Sequence, residues 1–174
     1  APRITKGGKS KSFDKMILVD NMISNCRSLE KIIDATILCA DCNSEEVHFE
    51  IQRSMQPRSS LYLAFVDPEG TEIHWNTMER LFRLPGDLII NYPWSGVARL
   101  VGGFQGPSGK SKKRMGERLD RFFGDSGWRD APKDSLADWL YRYYLDRLRR
   151  YRNEIVEFCI SMVGGAQYRI LIAN

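Results

Sequence analysis

Oxygen-bearing side chains follow four apolar segments of the sequence, each at the point where the segment ends. They are Asp20, Asp41 with Asn43, Asp67 and Asn91. A charged carboxylate is a strong acceptor for the paired hydroxyl donors of a ribose, and neighbouring acids and amides can bind the edge of a base. The sequence therefore predicts a nucleoside site, with Asp20 at the ribose and Asp41 and Asn43 within reach of the base.

The third of these segments ends in Asp67-Pro68-Glu69-Gly70. Proline fixes its own φ and removes a backbone donor, and glycine accepts turn conformations that other residues resist. We therefore predict a stiff loop that holds two carboxylates over the site, with Asp67, Pro68 and Glu69 as its catalytic group. A simpler interpretation stays open, in which Asp67 only caps the next helix.

The residues between these positions predict strands that alternate with helices. Short apolar segments at 14–20, 35–41, 60–67 and 86–93 are each followed by apolar side chains at helical spacing. Buried parallel strands read as continuous apolar runs, and they need crossover helices. The predicted fold class is α/β, a mostly parallel sheet with helices on both faces. Because the carboxyl ends of parallel strands meet at one edge, the four positions are expected to lie together there.

The second half of the chain departs from this alternation. Residues 102–133 are rich in Gly, Ser and Lys, and we predict an insertion or lid that contains one short helix. A long helix is predicted to follow an N-cap at Asp134. Two strands around Gly164-Gly165 are predicted to end the sheet as an antiparallel hairpin. The length of 174 residues suits one domain, residues 1–174.

The net charge of +4 has a local distribution, with basic segments near the start of the sequence, at 109–121 and at 141–152, the last interleaved with tyrosines. Lys and Arg bind phosphates, and bases stack on aromatic rings, so these segments predict contact with nucleic acid. The candidate residues are Lys110, Lys112, Lys113, Arg114, Arg149 and Arg150. In the simpler interpretation, the tyrosines at 141–151 belong to the core and the arginines form a solvated helix face.

Cysteine content and hydropathy indicate the cellular context. The four cysteines, Cys26, Cys39, Cys42 and Cys159, mostly lie in apolar segments, which predicts reduced core thiols rather than disulfides or metal ligands. The sequence has no apolar segment long enough to span a membrane and no secretion signal. We therefore predict a cytoplasmic protein without a membrane partner.

Several motifs, taken in order, resemble the three-Cys-motif partner family of bacterial and archaeal proteins. They are "LAFVDPEGTEIHWNTMERL", "DLIINYP", "RFFGDSGWRD" and the closing "QYRILIAN". The resemblance implies a class I methyltransferase-like Rossmann fold, S-adenosylmethionine as the cofactor and a three-Cys-motif protein as a partner. It also implies that Asp20 binds the ribose, that Asp41 and Asn43 lie near the adenine, and that Asp67 and Pro68 face the substrate.

One feature of that family is missing from the sequence. Its members begin with a strand and a glycine-rich turn that holds the methionine end of the cofactor, and no apolar strand precedes Phe13 here. Either the sequence is a fragment that lacks its first strand, or the protein has lost half of the pocket. We favour the fragment, because a parallel sheet without a central strand would expose unpaired edges.

Three functions are compatible with the sequence. The favoured one is an S-adenosylmethionine-dependent methyltransferase-like protein that acts on nucleic acid, in which Asp67 orients the nucleophile. The alternative is a non-catalytic or partner-dependent binding protein on a degenerate Rossmann frame, since a fold does not establish an activity. The third is a nuclease in which Asp67 and Glu69 hold Mg²⁺, and we rate it lowest because no lysine accompanies them at nuclease-like spacing.

Overall fold

The chain divides into two compact units, Ala1–Ser60 and Leu61–Asn174. A computed structural model describes residues 3–6, 9–55, 60–106, 112–161 and 167–174. Among the helices of these residues, none combines the length and the apolar character that a membrane crossing requires.

The first unit contains an antiparallel hairpin, a parallel strand pair and two helices. Its strands are β1 (Arg3–Lys6), β2 (Lys9–Ser12), β3 (Ile17–Asp20) and β4 (Thr36–Cys39), and its helices are α1 (Ile23–Ile32) and α2 (Glu45–Ser54). β1 pairs with β2 in the hairpin, and β3 pairs with β4 in parallel. The hairpin was not predicted, because its eight strand residues include one large apolar residue, Ile4, too few for an apolar pattern.

Helix α2 begins with a capped first turn. Ser44 is its N-cap, and the Ser44 hydroxyl accepts a hydrogen bond from the backbone N–H of Val47 at 3.3 Å. Glu45 and Glu46 occupy the first turn, where carboxylates interact favourably with the positive end of the helix dipole. The cap therefore fixes the start of α2 a few residues beyond β4.

The second unit is a mixed sheet with helices on one face. In spatial order its strands are β5 (Tyr62–Val66), β6 (Gly86–Tyr92), β8 (Gln167–Ala173) and β7 (Ile155–Ser161). Its helices are α3 (Trp75–Phe82), α4 (Trp94–Gln105), α5 (Lys112–Phe123) and α6 (Leu136–Leu148), with 3-10 turns at Gly127–Asp130 and Lys133–Ser135. β5 and β6 are parallel, and β8 is antiparallel to both β6 and β7.

An aromatic core covers one face of this sheet. Tyr92 is buried, and its ring lies 6.2 Å from Phe122, 5.2 Å from Tyr141 and 5.0 Å from Tyr144, measured between ring centroids. These contacts join β6 to α5 and α6, and the Tyr92–Tyr141 pair is edge-to-face, a geometry that adds to the stabilisation by burial of apolar area. The described part of residues 102–133 thus contributes core side chains, among them Phe122.

The opposite face of the same sheet is apolar and exposed. The strand register aligns Phe65, Ile89, Ile172 and Val156 in one row across all four strands. Phe65 is 65% exposed and Val156 is 53% exposed. The neighbouring positions Leu63, Phe158 and Ile160 are also exposed and lie on this face, because side chains of one strand alternate between the two faces.

The structure agrees with the predicted fold in its class and in its individual helices and strands. The mixed α/β class, the four strand and helix pairs and the antiparallel β7–β8 pair are confirmed. The finer prediction, one mostly parallel sheet with helices on both faces, stays a prediction: the described strands pair as β3–β4 in the first unit and as a mixed sheet, β5–β6–β8–β7, in the second. Apolar periodicity indicates a buried strand but not its pairing partner.

Two smaller differences concern turns and caps. The long helix α6 has Ser135 as its N-cap rather than the predicted Asp134, because a short 3-10 turn precedes it. The glycine pair predicted for the final hairpin turn, Gly164-Gly165, lies outside the described residues. The single domain over 1–174 and the lid function of 102–133 stay predictions.

Candidate functional site

Asp20 lies at the carboxyl end of β3, with its carboxylate held by two hydrogen bonds. Oδ1 accepts from the backbone N–H of Met22 at 2.7 Å, and Oδ2 accepts from Asn25 Nδ2 at 2.9 Å. The Asn25 bond, followed by the Met22 bond, lowers the pKa of Asp20, so the group is ionised at neutral pH. Because a carboxylate offers about four lone-pair positions, two directions stay open for further donors.

Asp41 and Asn43 follow β4 at the same end of the strand pair. Asp41 Oδ1 accepts from the backbone N–H of Asn43 at 2.8 Å and from Asn43 Nδ2 at 2.9 Å. This is an Asx turn, which ends the strand and leads into the capped start of α2. Asp20 faces Cys39 in the ladder, so the parallel register brings the ends of both strands to one edge of this pair.

In the second unit, Asp67 and Asn91 meet at the carboxyl end of β5 and β6. Val66 pairs with Ile90, so the next residue of each strand lies side by side, and Asn91 Nδ2 donates to Asp67 Oδ1 at 2.7 Å. The other side-chain atom, Asn91 Oδ1, is buried and has no hydrogen-bond partner among the described residues. The Asp67 carboxylate is exposed and oriented by this amide.

The loop after β5 is stabilised by a contact with helix α5 that was not predicted from the sequence. The backbone N–H of Gly70 donates to Glu72 Oε2 at 2.6 Å, and the Glu72 carboxylate forms an ion pair with Arg118 of α5. The loop is therefore restrained, as predicted, but Gly70 does not adopt the positive φ that would require glycine. The tight fit is steric, since a Cβ on Gly70 would lie 3.1 Å from Glu72 Oε1.

Asp67 does not cap the following helix. The N-cap of α3 is His74, and no side chain makes a capping hydrogen bond there. Pro68 is half-buried, and the Glu69 carboxylate is exposed and makes no hydrogen bond or ion pair with another described residue. The simpler interpretation of Asp67 is thus wrong, and both carboxylates of the loop face solvent. Within the described ranges, no group of three or more His, Cys, Asp or Glu residues could hold a metal ion.

The two basic segments differ in their surroundings. Lys112, Lys113 and Arg114 form the first turn of α5, which contains no acidic residue, and Lys112 Nζ lies 6.0 Å from the ring of Phe104. Arg149, by contrast, contacts Asp146 at 3.1 Å and Glu157 at 3.7 Å. Arg150 is exposed beside it, and Lys110 lies outside the described residues.

Two of the tyrosines at 141–151 belong to the core, as the simpler interpretation held, and the other two, Tyr143 and Tyr151, are half-buried. Tyr141 is 5% exposed and Tyr144 is 2% exposed. Desolvation by burial raises the pKa of Tyr144 well above its usual value, which keeps the hydroxyl protonated. These two rings are not available to stack on bases, whereas Tyr143 is half-buried and stacks on Trp139 with ring centroids 5.1 Å apart.

An open groove of about 450 Å³ lies near α3, α5 and α6, and sequence reasoning did not find it. Its lining includes Trp75, Glu79, Asp120 and Arg147. Glu79 Oε1 accepts from Trp75 Nε1 at 3.1 Å and from Tyr151 Oη at 2.5 Å, and the Arg147 guanidinium lies 4.6 Å from the Trp75 ring. These polar groups contact one another, so the groove lining serves as a structural contact between helices.

Comparisons with known proteins gave no match, whether against protein-family models, curated proteins or solved structures.

Proposed function

We propose that this protein is a methyltransferase-like protein that binds S-adenosylmethionine and acts on nucleic acid, on a Rossmann-like frame. The observation that carries the proposal is the Asp20 carboxylate, which is ionised, fixed by two hydrogen bonds and located at the carboxyl end of a parallel strand. An acid at such a strand end binds ribose hydroxyls in dinucleotide-binding folds. The resemblance to the three-Cys-motif partner family supports the choice of cofactor.

Each strand-end residue has a role in this proposal. Asp20 accepts hydrogen bonds from the ribose hydroxyls, and the turn formed by Asp41 and Asn43 presents amide and carboxylate groups to the adenine edge. When bound, S-adenosylmethionine supplies an electrophilic methyl group. In the second unit, Asp67 is proposed to orient the nucleophile, because the Asn91 amide holds its carboxylate in one direction, and Glu69 is proposed to accept the released proton. Pro68 keeps the two acids at a fixed separation along the loop.

The methyl acceptor is proposed to be a nucleic acid because of the charge at the start of α5. Three cations in the first turn of a helix oppose the positive end of the helix dipole, which destabilises the helix. Phosphate groups bound there would neutralise the three cations and would interact favourably with the positive end of the helix dipole. Lys112, Lys113 and Arg114, together with Lys110, are therefore the stronger candidates. Arg149 and Arg150 are weaker candidates, since the carboxylates near Arg149 already neutralise part of their charge.

Isothermal titration calorimetry with S-adenosylmethionine tests the cofactor site. We expect saturable binding that Asp20→Ala weakens by about tenfold or more, because two charge-assisted hydrogen bonds to the ribose are lost. Asp34→Ala is the matched control, since Asp34 is an exposed acid at the opposite end of the same strand pair. Absence of heat at millimolar ligand, or equal weakening in both variants, would contradict the proposal.

A partner-dependent binding protein is the second candidate, and the exposed face of the second unit favours it. Large contiguous apolar surfaces on folded proteins mark sites of interaction with other proteins. Phe65, Val156 and Phe158 contribute to such a surface here. Sedimentation of the protein with a purified three-Cys-motif protein tests this candidate. We expect a complex that Phe158→Lys disrupts, and sedimentation as separate species would contradict it.

A further inference from the structure

The thiol of Cys26 lies against the end of β3. Cys26 is in the first part of α1, is 3% exposed, and its Sγ donates a hydrogen bond to the backbone oxygen of Asp20 at 3.3 Å. The prediction of a buried, reduced thiol is therefore confirmed for this cysteine. Its position is set by the short connection between β3 and α1.

Cys39 reaches the same place from the neighbouring strand. It is the last residue of β4 and is paired with Asp20 in the parallel ladder, so both cysteines adjoin one residue. The neighbouring Cys39 thiol, followed by burial, raises the pKa of Cys26 to about 11. Cys39 is exposed, contrary to the prediction of a core thiol.

We infer that Cys26 and Cys39 form a site of reversible thiol oxidation, at which a hydroperoxide converts the pair into a disulfide. Ladder partners share one face of a strand pair, and the Asp20 carboxylate contacts Asn25 of α1, so Cys39 lies on the face that carries Cys26. Rotation of the two side chains there can bring the sulfurs to the sulfur–sulfur bond length. One thiol is open to solvent and the other is enclosed, an arrangement typical of a peroxide-reacting cysteine with a resolving cysteine beside it. Neither cysteine has a role in the proposed methyl transfer, so the inference is independent of it.

The reaction has two balanced steps. The Cys39 thiolate attacks one oxygen of hydrogen peroxide, the O–O bond breaks, and sulfenic acid and one water form after proton transfer. The Cys26 sulfur then attacks the Cys39 sulfur, a second water leaves, and the disulfide forms. In sum, two thiols are oxidised by two electrons and one peroxide is reduced to two waters. A dithiol reductant reverses the second state by thiol–disulfide exchange.

The exposed thiol reacts first because it is the one that peroxide can reach. Cys26 cannot meet peroxide directly, and its raised pKa keeps it protonated at neutral pH. Cys26 therefore enters the reaction only when its sulfur contacts the sulfenic acid of Cys39. Cys42 follows β4 in the Asx turn that contains Asp41, outside the ladder position opposite Asp20, and Cys159 belongs to the second unit.

Peptide mapping of the peroxide-treated full chain tests the inference. Trypsin places Cys26 in peptide 16–27 and both Cys39 and Cys42 in peptide 32–53. After treatment with stoichiometric hydrogen peroxide and alkylation, we expect the two peptides to be joined through Cys39. Dithiothreitol should release them. A Cys39–Cys42 disulfide, a Cys39 sulfinic acid beside an alkylated Cys26, or no loss of thiols would each overturn the inference.

Substitutions that leave the buried Cys26 in place separate the thiol oxidation from effects on folding. Cys39→Ser should abolish the link to Cys26, whereas the matched control Cys42→Ser should retain it. Replacement of the buried Cys26 is avoided, since loss of its packing could unfold the unit. Persistence of a Cys26 disulfide in Cys39→Ser, or its loss in Cys42→Ser, would assign the resolving pair differently and overturn the inference. Circular dichroism of each variant confirms that the compared chains are folded.

Discussion

Arg152 joins three parts of the second unit that lie far apart in the sequence. Its side chain is 9% exposed, and the guanidinium donates to the backbone oxygens of Gly86 at 2.9 Å and Leu84 at 3.0 Å, and to the Tyr62 hydroxyl at 3.2 Å. The guanidinium fork satisfies carbonyl groups of the loop that leads from α3 into β6. A residue that composition would assign to a basic surface is thus a structural element of the core.

Replacement of Arg152 by methionine should destabilise the protein. The substitution keeps much of the side-chain volume but leaves the carbonyls of Leu84 and Gly86 without their charged donor. We expect the free energy of unfolding to fall by about 2 to 3 kcal/mol, measured by urea denaturation. Arg150→Met is the control, and its exposed position predicts a change within about 0.5 kcal/mol. Equal effects of the two variants would show that Arg152 has no special role.

Buried tyrosines predict a loss of stability at high pH. Burial raises the pKa of Tyr62 to about 12 and also raises the pKa of Tyr144 and of Tyr92, whereas an unfolded tyrosine titrates near 10. Between these values the folded state binds more protons than the unfolded state, so stability falls as pH rises. We expect full stability below about pH 10 and a progressive decrease up to pH 12, measured by urea denaturation at each pH. A flat profile across that interval would contradict the burial of these hydroxyls.

At the scale of secondary structure, the cations in the first turn of α5 destabilise the helix and are proposed to bind nucleic acid. Lys113 and Arg114 are exposed in the first turn, where they oppose the helix dipole. The double substitution Lys113→Glu, Arg114→Glu should raise the free energy of unfolding by about 1 kcal/mol, because carboxylates are favourable there. The same variant should weaken binding to single-stranded RNA and reduce the dependence of that binding on salt.

The opposite signs of these two effects make the test specific. The control is Arg150→Glu, which reverses a charge just beyond the C-terminus of α6, where cations are favourable. It should lower stability slightly and change RNA binding less. Fluorescence anisotropy over a salt series measures both variants. Unchanged affinity of the α5 variant would remove this segment from the proposed nucleic-acid surface.

Local sequence determined most of the helices and strands, and some of the contacts between them. The contact between Asp67 and Asn91 follows from the rule that the carboxyl ends of parallel strands share one edge, and the Ser44 cap follows from the preference for serine at helix N-caps. The ion pair of Glu72 with Arg118 and the contacts of Arg152 were not predictable, because they join residues 46 and 66 or more positions apart. Periodicity carries no information at that separation.

At the scale of the whole chain, strand pairing limited the prediction. β6 pairs with β5 on one side and with the later strand β8 on the other, and β3 and β4 form a sheet of their own in the described residues. Both arrangements satisfy the same apolar pattern, so the sequence alone could not choose between them. The functional consequence is that Asp20 with Asp41, and Asp67 with Asn91, are each brought together within one unit.

The exposed sheet face gives a prediction for the same scale. Phe158 is 49% exposed on that face, so Phe158→Lys removes apolar surface without opening a cavity. We expect the free energy of unfolding to change by less than about 0.5 kcal/mol, and the fluorescence of a hydrophobic dye bound to the native protein to decrease. Leu88→Lys is the contrasting variant, since Leu88 is fully buried on the opposite face and its replacement should prevent folding. Strong destabilisation by Phe158→Lys would show that the face is covered.

The outer edge of β5 has a consequence for production of the protein. Among the described residues, β5 is the terminal strand of its sheet, and the segment Leu61–Val66 contains no charge and no proline that would oppose pairing with a strand of another molecule. Refolding from denaturant should accordingly give yields that decline as the chain is concentrated, with the precipitate enriched in intermolecular β-structure. An isolated chain of this kind is best prepared dilute and cold, and a lysine in place of Leu63 would act as a gatekeeper.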